Sequence, residues 1–228
     1  DYAIVQSLAG PGVFGILKHC CKMRGFSEFL TDLVLHPDFA CRLLDISADI
    51  CIRIARNVLR AVGENVDVVY FPDDLGHQQS TFISPGMYRE FVKPRHKRLF
   101  DTIRALSPAK IVLHTDGAVF SAIEDLIDIG VDAINPVQTT ARHMEPERLQ
   151  RAFGGRMAFW GGIDTRDILP FGTVEQVRAE VRRIIDILGP RGGLILASVQ
   201  VIQAEVPPEN IVAMFDEARS YRASASRS

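Results

Sequence analysis

The chain has 228 residues, of which 47% are hydrophobic, and its formal net charge at pH 7 is −2. This length supports one large domain with a sizeable core, or at most two small ones. The near-neutral charge gives no electrostatic footprint for nucleic acid, and no apolar run reaches the roughly 18 residues that a membrane span requires.

Six short apolar runs recur along the chain and predict six β-strands. They cover residues 3–8, 66–71, 111–113, 131–134, 157–160 and 194–197. Helical patterns separate them: Gly130 ends one helix, Thr173 with Gln176 forms a capping box, and Pro94 is expected to kink another helix.

Strands that are continuously apolar and alternate with helices are typical of a parallel sheet covered on both faces. A doubly wound open sheet is one alternative, but no GxGxxG motif follows the first strand. A closed barrel of this type needs eight strands. The sequence therefore favours an α/β fold, a (β/α)8 TIM barrel whose first two βα units are absent from this chain.

The ends of the chain indicate that it is a fragment of a longer protein. It opens at Asp1, without a methionine and directly before an apolar run, and no signal peptide is recognisable. The four cysteines, without CxxC spacing, predict reduced, mostly buried thiols and a cytoplasmic protein. We expect one domain over residues 1–221 and a disordered tail over residues 222–228.

Polar side chains follow each predicted strand from the second onward, and in parallel α/β folds the strand ends share the face that carries the active site. Carboxylates that share a poorly hydrated cleft cannot all ionise freely, so one of them should have a raised pKa and could act as a general acid. The candidate catalytic residues are Asp73, Asp74, His114 and Asp116, and the candidate substrate-binding residues are Gln78, Gln138, Asp164 and Gln200.

Each candidate also has a structural alternative. His114 could be a hydrogen-bonded structural histidine, Asp116 could cap the following helix, and Asp73 with Asp74 could belong to a turn. His77, His96 and His143 are expected at the surface, as is the basic run over residues 95–98.

Seven short segments spread along the chain carry a family resemblance. They are LAGPGVF (8–14), DDLGHQQS (73–80), ISPGMYREFVKP (83–94), LHTDGAV (113–119), IxxLIDIGVDAINPVQ (123–138), RMAFWGGID (156–164) and QAEVPPENI (203–211). Together they resemble the uroporphyrinogen decarboxylase superfamily, most closely its branch of corrinoid-dependent methyltransferases. The resemblance covers residues 1–221 and implies a (β/α)8 barrel.

The resemblance also implies a chemistry. Zinc methyltransferases of this branch take a histidine and a cysteine from an HxCG motif, and the matching residues here are His114 and Asp116. Their third ligand falls, by spacing, at Gln200. A metal, with zinc as the implied ion, could then be held by His114 and Asp116 with help from Asp73 or Asp74. The implied function is transfer of a methyl group, of the O-demethylase type, to a corrinoid carried by a partner protein, because the chain has no DxHxxG corrinoid motif.

Two other functions stay open. A uroporphyrinogen decarboxylase would act on a tetrapyrrole, but its arginine-rich motif and catalytic aspartate belong to an N-terminal third that this chain does not show. The second is a non-catalytic binder of a corrinoid or tetrapyrrole. A homodimer is left open as the assembly state.

Overall fold

The computed structural model describes residues 2–8 and 15–221, and its framework is one six-stranded sheet. The strands are β1 (Val5–Ser7), β2 (Val68–Pro72), β3 (Lys110–His114), β4 (Ala133–Val137), β5 (Ala158–Ile163) and β6 (Leu194–Ser198). Every neighbouring pair is parallel and the spatial order equals the chain order, which confirms the predicted sheet. The fold is a partial (β/α)8 barrel.

Helices connect the strands. They are α1 (Leu17–Arg24), α2 (Phe26–Leu35), α3 (Pro37–Val62), α4 (Pro85–Met87), α5 (Lys93–Leu106), α6 (Phe120–Asp128), α7 (Pro146–Phe153), α8 (Ile168–Phe171), α9 (Val174–Leu188) and α10 (Pro208–Ser220). The predicted capping box is present at the start of α9. A π-helical turn over Tyr88–Val92 precedes α5, where the missing N–H of Pro94 prevents regular helical bonding.

The sheet curls so that distant strands face each other across its concave side. The rings of Tyr70 on β2 and Trp160 on β5 lie 6.0 Å apart, edge to face. Three strand spacings would separate these strands by about 14 Å in a flat sheet. The carboxyl ends of the strands therefore converge on one mouth.

Alternation along β3 shows which side chains face that interior. Ile111 and Leu113 belong to the main hydrophobic core between the sheet and the outer helices. Val112 instead lines a cavity inside the curl with Val68 and Ala133. Because side chains two apart share a face of a strand, His114 lies on the interior side with Val112.

The structure corrects the expectation for one histidine and part of the basic run. His96 on α5 is 0% exposed, so it is not a surface residue. The Arg95 guanidinium is also largely covered and pairs with Asp45 at 2.8 Å. Residues 9–14 of the LAGPGVF segment and the tail over residues 222–228 lie outside the described residues. No described helix is both long and apolar enough to cross a membrane.

Candidate metal and acid–base site

Three side chains meet at the mouth of the curled sheet, at the ends of β2 and β3. Pro72 pairs with His114 in the register of these strands, so the residues that follow both strands emerge at the same level. Nε2 of His114 lies 3.8 Å from Oδ1 of Asp74 and 3.9 Å from Oδ2 of Asp116. One atom from each side chain falls within 4.8 Å of the others, which is close enough to hold one ion.

A hydrogen-bond pair behind His114 fixes the orientation of its ring. Oδ1 of Asn135 lies 2.8 Å from Nδ1 of His114 and accepts a second hydrogen bond, 3.0 Å long, from the Tyr70 hydroxyl. A carbonyl oxygen can only accept, so Nδ1 carries a proton, and in the neutral imidazole it is Nε2 that presents a lone pair. The free nitrogen is therefore the one that faces the two carboxylates.

The surroundings of Asp116 shift its carboxyl group towards the protonated form. Burial raises its pKa, and the neighbouring Asp74 carboxylate raises it further. His114, Lys18 and the hydrogen bond from Nε2 of Gln200, 2.6 Å long, act in the opposite direction without cancelling the rise. The pKa of this carboxyl lies above its ordinary 3.8, as expected for carboxylates that share a cleft.

Gly117 lets the loop after β3 pass close to the loop after β2. Its φ is +86°, and a Cβ at this position would lie 2.5 Å from the carbonyl oxygen of His77. The Gly117 N–H donates to Oε1 of Gln138 at 3.1 Å. Gln138 therefore contributes to the shape of the loop that carries Asp116.

The same two carboxylates act on the Tyr70 hydroxyl. Burial, with the nearby Asp116 and Asp74 carboxylates, raises the pKa of Tyr70 to about 12. The phenol therefore stays protonated at neutral pH and continues to donate to Asn135.

Asp73 is not exposed to the cleft, although it neighbours Asp74 in sequence. Its carboxylate is 0% exposed and accepts from the backbone N–H groups of Ile16, Leu17 and Lys18 at 2.8 to 2.9 Å. Nε2 of His96 provides a fourth contact at 2.8 Å. The prediction that Asp73 is catalytic therefore gives way to a structural role: it caps the first turn of α1, where a negative charge is favoured.

Asp74 instead faces the site and is paired. Its carboxylate accepts from the ammonium group of Lys18, the residue whose backbone N–H is held by Asp73. The buried cap at Asp73 thus sets the position from which Lys18 reaches the mouth of the barrel.

A cleft of about 340 Å³ opens beside Asp116. Three of the four residues predicted to bind substrate contribute to its wall: Gln78, Gln138 and Gln200. The wall also includes one arginine, Arg166.

Asp164 does not take part in this cleft. It is buried, and its carboxylate accepts from the backbone N–H groups of Arg166, Asp167 and Ile168 at 2.7 to 3.2 Å. These bonds cap the turn that leads into α8, so the prediction that Asp164 contacts substrate does not fit the geometry.

The comparisons with known proteins identify the family of this barrel. Residues 12–221 match the uroporphyrinogen decarboxylase (URO-D) family. This chain belongs to the uroporphyrinogen decarboxylase family. Within it, the chain is 32% identical over 131 residues to a uroporphyrinogen decarboxylase of Thermus thermophilus, covering 57% of this chain and 35% of that protein.

Methyltransferases are also among the relatives. A methylated-thiol–coenzyme M methyltransferase of Methanosarcina mazei is 26% identical over 196 residues, which cover 84% of this chain and 48% of that protein. A solved structure described as a methyltransferase from Methanosarcina mazei superposes with a TM-score of 0.74 at 21% identity, covering 96% of this chain and 59% of that one. This structural likeness supports the barrel fold. The chain spans between about a third and a half of the length of these curated relatives.

The donor set at the mouth of this URO-D-family barrel fits a divalent metal ion. It consists of one imidazole nitrogen, already oriented by a hydrogen bond at its other nitrogen, and two carboxylates. Ligating histidines commonly have such a hydrogen bond, and zinc accepts both nitrogen and oxygen ligands. Three protein ligands would leave a further position for a substrate.

Sequence reasoning missed Tyr70, Asn135 and Lys18. Alternation along β2 could have placed Tyr70 on the interior face, because it lies two residues from Val68. Asn135 directly follows the fourth predicted strand, as the other candidates follow theirs. Lys18 gave no such signal, because its contact with Asp74 spans 56 residues of sequence.

Proposed function

We propose that the protein is a methyltransferase of the O-demethylase type, which passes a methyl group from an ether to a corrinoid carried by a partner protein. The observation that supports this most is Asp116, a carboxyl group of raised pKa next to an oriented histidine at the barrel mouth. The methyltransferase among the relatives gives the reaction class.

Ether cleavage needs a proton because an alkoxide or phenoxide is a poor leaving group. In the proposed step, the electron pair of the cobalt(I) corrinoid attacks the methyl carbon and forms the cobalt–carbon bond. The bond from carbon to oxygen breaks, and its electron pair stays on oxygen. Asp116, protonated beforehand, transfers its proton to that oxygen and becomes a carboxylate.

A metal ion is an alternative to the proton of Asp116. His114, Asp74 and a deprotonated Asp116 would hold it, and it would polarise the ether oxygen as a Lewis acid. Zinc is the ion that the family resemblance implies. Either the ion or the proton of Asp116 would stabilise negative charge on oxygen, so the metal content and the protonation state of Asp116 should be measured together.

Uroporphyrinogen decarboxylation is the second candidate, because several curated relatives bear that name. Recognition of a tetrapyrrole with many carboxylates favours several arginines in the cleft. Among the described residues that line the cleft, Arg166 is the one arginine. The arginine-rich motif of the decarboxylases belongs to the N-terminal third that this chain does not show, so this cleft does not separate the two candidates. A barrel that binds a corrinoid or tetrapyrrole without turnover is the third candidate.

The test uses the full-length protein with a cobalt(I) corrinoid and a panel of methoxylated compounds, run in parallel with uroporphyrinogen. Metal content is measured on the same sample. Appearance of the methylcobalt spectrum supports the proposal. Release of carbon dioxide from uroporphyrinogen, without methylcobalt, would show that the protein is the second candidate, a decarboxylase. Binding of a corrinoid or tetrapyrrole without either product would show that it is the third, a non-catalytic binder.

A further inference from the structure

One hydrogen bond crosses the mouth of the barrel and ends on the proposed proton donor. Nε2 of Gln200, in the loop after β6, donates to Oδ1 of Asp116, in the loop after β3, over 2.6 Å. The two residues lie 84 positions apart in sequence, and two strands, β4 and β5, separate β3 from β6 in the sheet. The curl of the sheet therefore brings these two side chains together.

The backbone of Asp116 is held independently of Gln200. The N–H of the next residue, Gly117, donates to Oε1 of Gln138 at 3.1 Å, and the N–H of Asp116 donates to Oδ1 of Asp74 at 3.4 Å. These bonds leave free the rotation about the two side-chain torsions of Asp116, χ1 and χ2. Among the described side chains, Gln200 is the hydrogen-bond donor to this carboxylate, so it determines how the carboxylate plane is turned.

The bond gives the two oxygens of Asp116 different tasks. Oδ1 accepts from the Gln200 amide, whereas Oδ2 is the oxygen that lies 3.9 Å from Nε2 of His114. In the acid form the carbonyl oxygen is the better acceptor, so Oδ1 is the carbonyl and Oδ2 carries the proton. In the ionised form Oδ2 is the oxygen that can reach an ion. Both forms therefore present the same atom to the site.

Asp74 shows the same arrangement with a different donor. Its Oδ2 accepts from the Lys18 ammonium group, and its Oδ1 lies 3.8 Å from Nε2 of His114. Each carboxylate thus has one oxygen held from outside the site and one directed at the imidazole. Gln200 is neutral whereas Lys18 is charged, so replacing Gln200 changes the direction of a carboxylate without changing the charge of the site.

We propose that Gln200 is a positioning residue, which holds Oδ1 of Asp116 so that Oδ2 is the atom that gives up a proton or binds an ion. For the proton, this inference rests on the proposed function, because Oδ2 would then deliver it to the ether oxygen. For the ion, it rests on the geometry of Asp74, His114 and Asp116. In either form Gln200 acts through Asp116 and needs no contact with the substrate.

Two variants of the full-length protein separate this role from a general effect on the loop. Gln200→Met keeps the approximate length of the side chain and removes the N–H donor. Gln203→Met is the matched control, because it makes the same change in the same loop, where the amide donates to the backbone carbonyl of Val201. Both glutamines are exposed, so neither substitution removes a buried side chain.

The hydrogen bond is measured first, without metal or substrate. The protein is labelled with ¹³C at the side-chain carboxyl carbon of aspartate, and the Asp116 signal is identified by its absence from Asp116→Asn. At neutral pH this signal should shift in Gln200→Met and stay in place in Gln203→Met, because a carboxyl carbon responds to the loss of its hydrogen-bond donor. An unchanged signal in Gln200→Met would overturn the inference.

The effect on the site is measured next. In chelator competition, Gln200→Met should raise the Kd for Zn²⁺ by about tenfold, the lower end of the range for groups that orient a ligand, because water can replace an exposed donor. In methyl transfer it should lower kcat by about tenfold and leave the KM of the methyl donor unchanged, since only the direction of the acid is lost. Gln203→Met should change neither quantity, and equal effects of the two variants would contradict the role of Gln200.

The two proposals fail separately. A shifted carboxyl signal and weaker Zn²⁺ binding in Gln200→Met, with no methylcobalt formed by the wild type, would keep Gln200 as a positioning residue and remove the methyltransferase. Methylcobalt formed at equal rates by the wild type and Gln200→Met would keep the methyltransferase and remove the role of Gln200. If the wild type binds no Zn²⁺, the fall in kcat decides. A wild type that neither binds Zn²⁺ nor transfers a methyl group would overturn both proposals.

Discussion

Replacement of Asp73 by alanine tests whether this carboxylate stabilises the fold and takes no part in the reaction. The substitution removes the acceptor of three backbone N–H groups at the start of α1 and of His96 Nε2. Two of these N–H groups, on Ile16 and Leu17, belong to fully buried residues. Each buried donor left without a partner costs about 1–3 kcal/mol.

These costs do not add fully, because water can enter the space left by the carboxylate and bond to some of the donors. We expect the free energy of unfolding to fall by about 3–5 kcal/mol, because at least two buried donors lose their acceptor. A typical protein has only about 5–15 kcal/mol in total, so the loss would be severe. Asp73→Asn, which keeps the shape and one acceptor oxygen, should lose less.

Urea denaturation of the full-length protein measures the effect as a shift of the midpoint at constant slope. Asp116→Ala is the control: its side chain is 33% exposed and accepts from the Gln200 side chain, so we expect a change within about 1 kcal/mol. If Asp73→Ala changed stability by less than the control while abolishing turnover, Asp73 would belong to the reaction and the capping argument would be refuted.

Further predictions concern the site itself. Asp116→Asn keeps the shape of the side chain and removes the proton donor, so turnover should fall by about 10²-fold or more, measured as the initial rate of methyl transfer. Because the pKa of Asp116 is raised in the folded protein, its ionisation lowers the free energy of unfolding as pH rises from 3.8 through the raised value. Urea midpoints measured across this pH range should therefore fall in the wild type. They should fall less in Asp116→Asn, which cannot ionise. In chelator-competition titrations with Zn²⁺, Asn135→Ala should weaken zinc binding by about 10- to 100-fold, and His114→Ala should weaken it more. Equal zinc affinity in the wild type and both variants would show that there is no metal site here. Gly117→Ala places a Cβ against the His77 backbone at positive φ, so we expect a loss of about 1–3 kcal/mol in urea denaturation.

The sequence by itself determined the sheet and predicted the face of the barrel on which the candidate site lies. Apolar runs separated by helical patterns predicted the strand order, because a strand buried on both faces must be continuously apolar and parallel neighbours need a helical crossover. Polar residues directly after these runs marked the mouth, since parallel strands end on the same side. The end of β3 at His114 and the cap at Thr173 needed only local chemistry.

Only the tertiary structure decided which of two adjacent aspartates faces the cleft. Alternation along a strand indicates that Asp73 and Asp74 point to opposite sides, but the two residues are chemically identical. The choice depends on the partners on each side. Asp73 meets the N–H groups of α1 and the His96 ring. Asp74 meets Lys18 and the His114 ring. These partners lie between 23 and 56 residues away in sequence, and packing of the helices against the sheet brings them together.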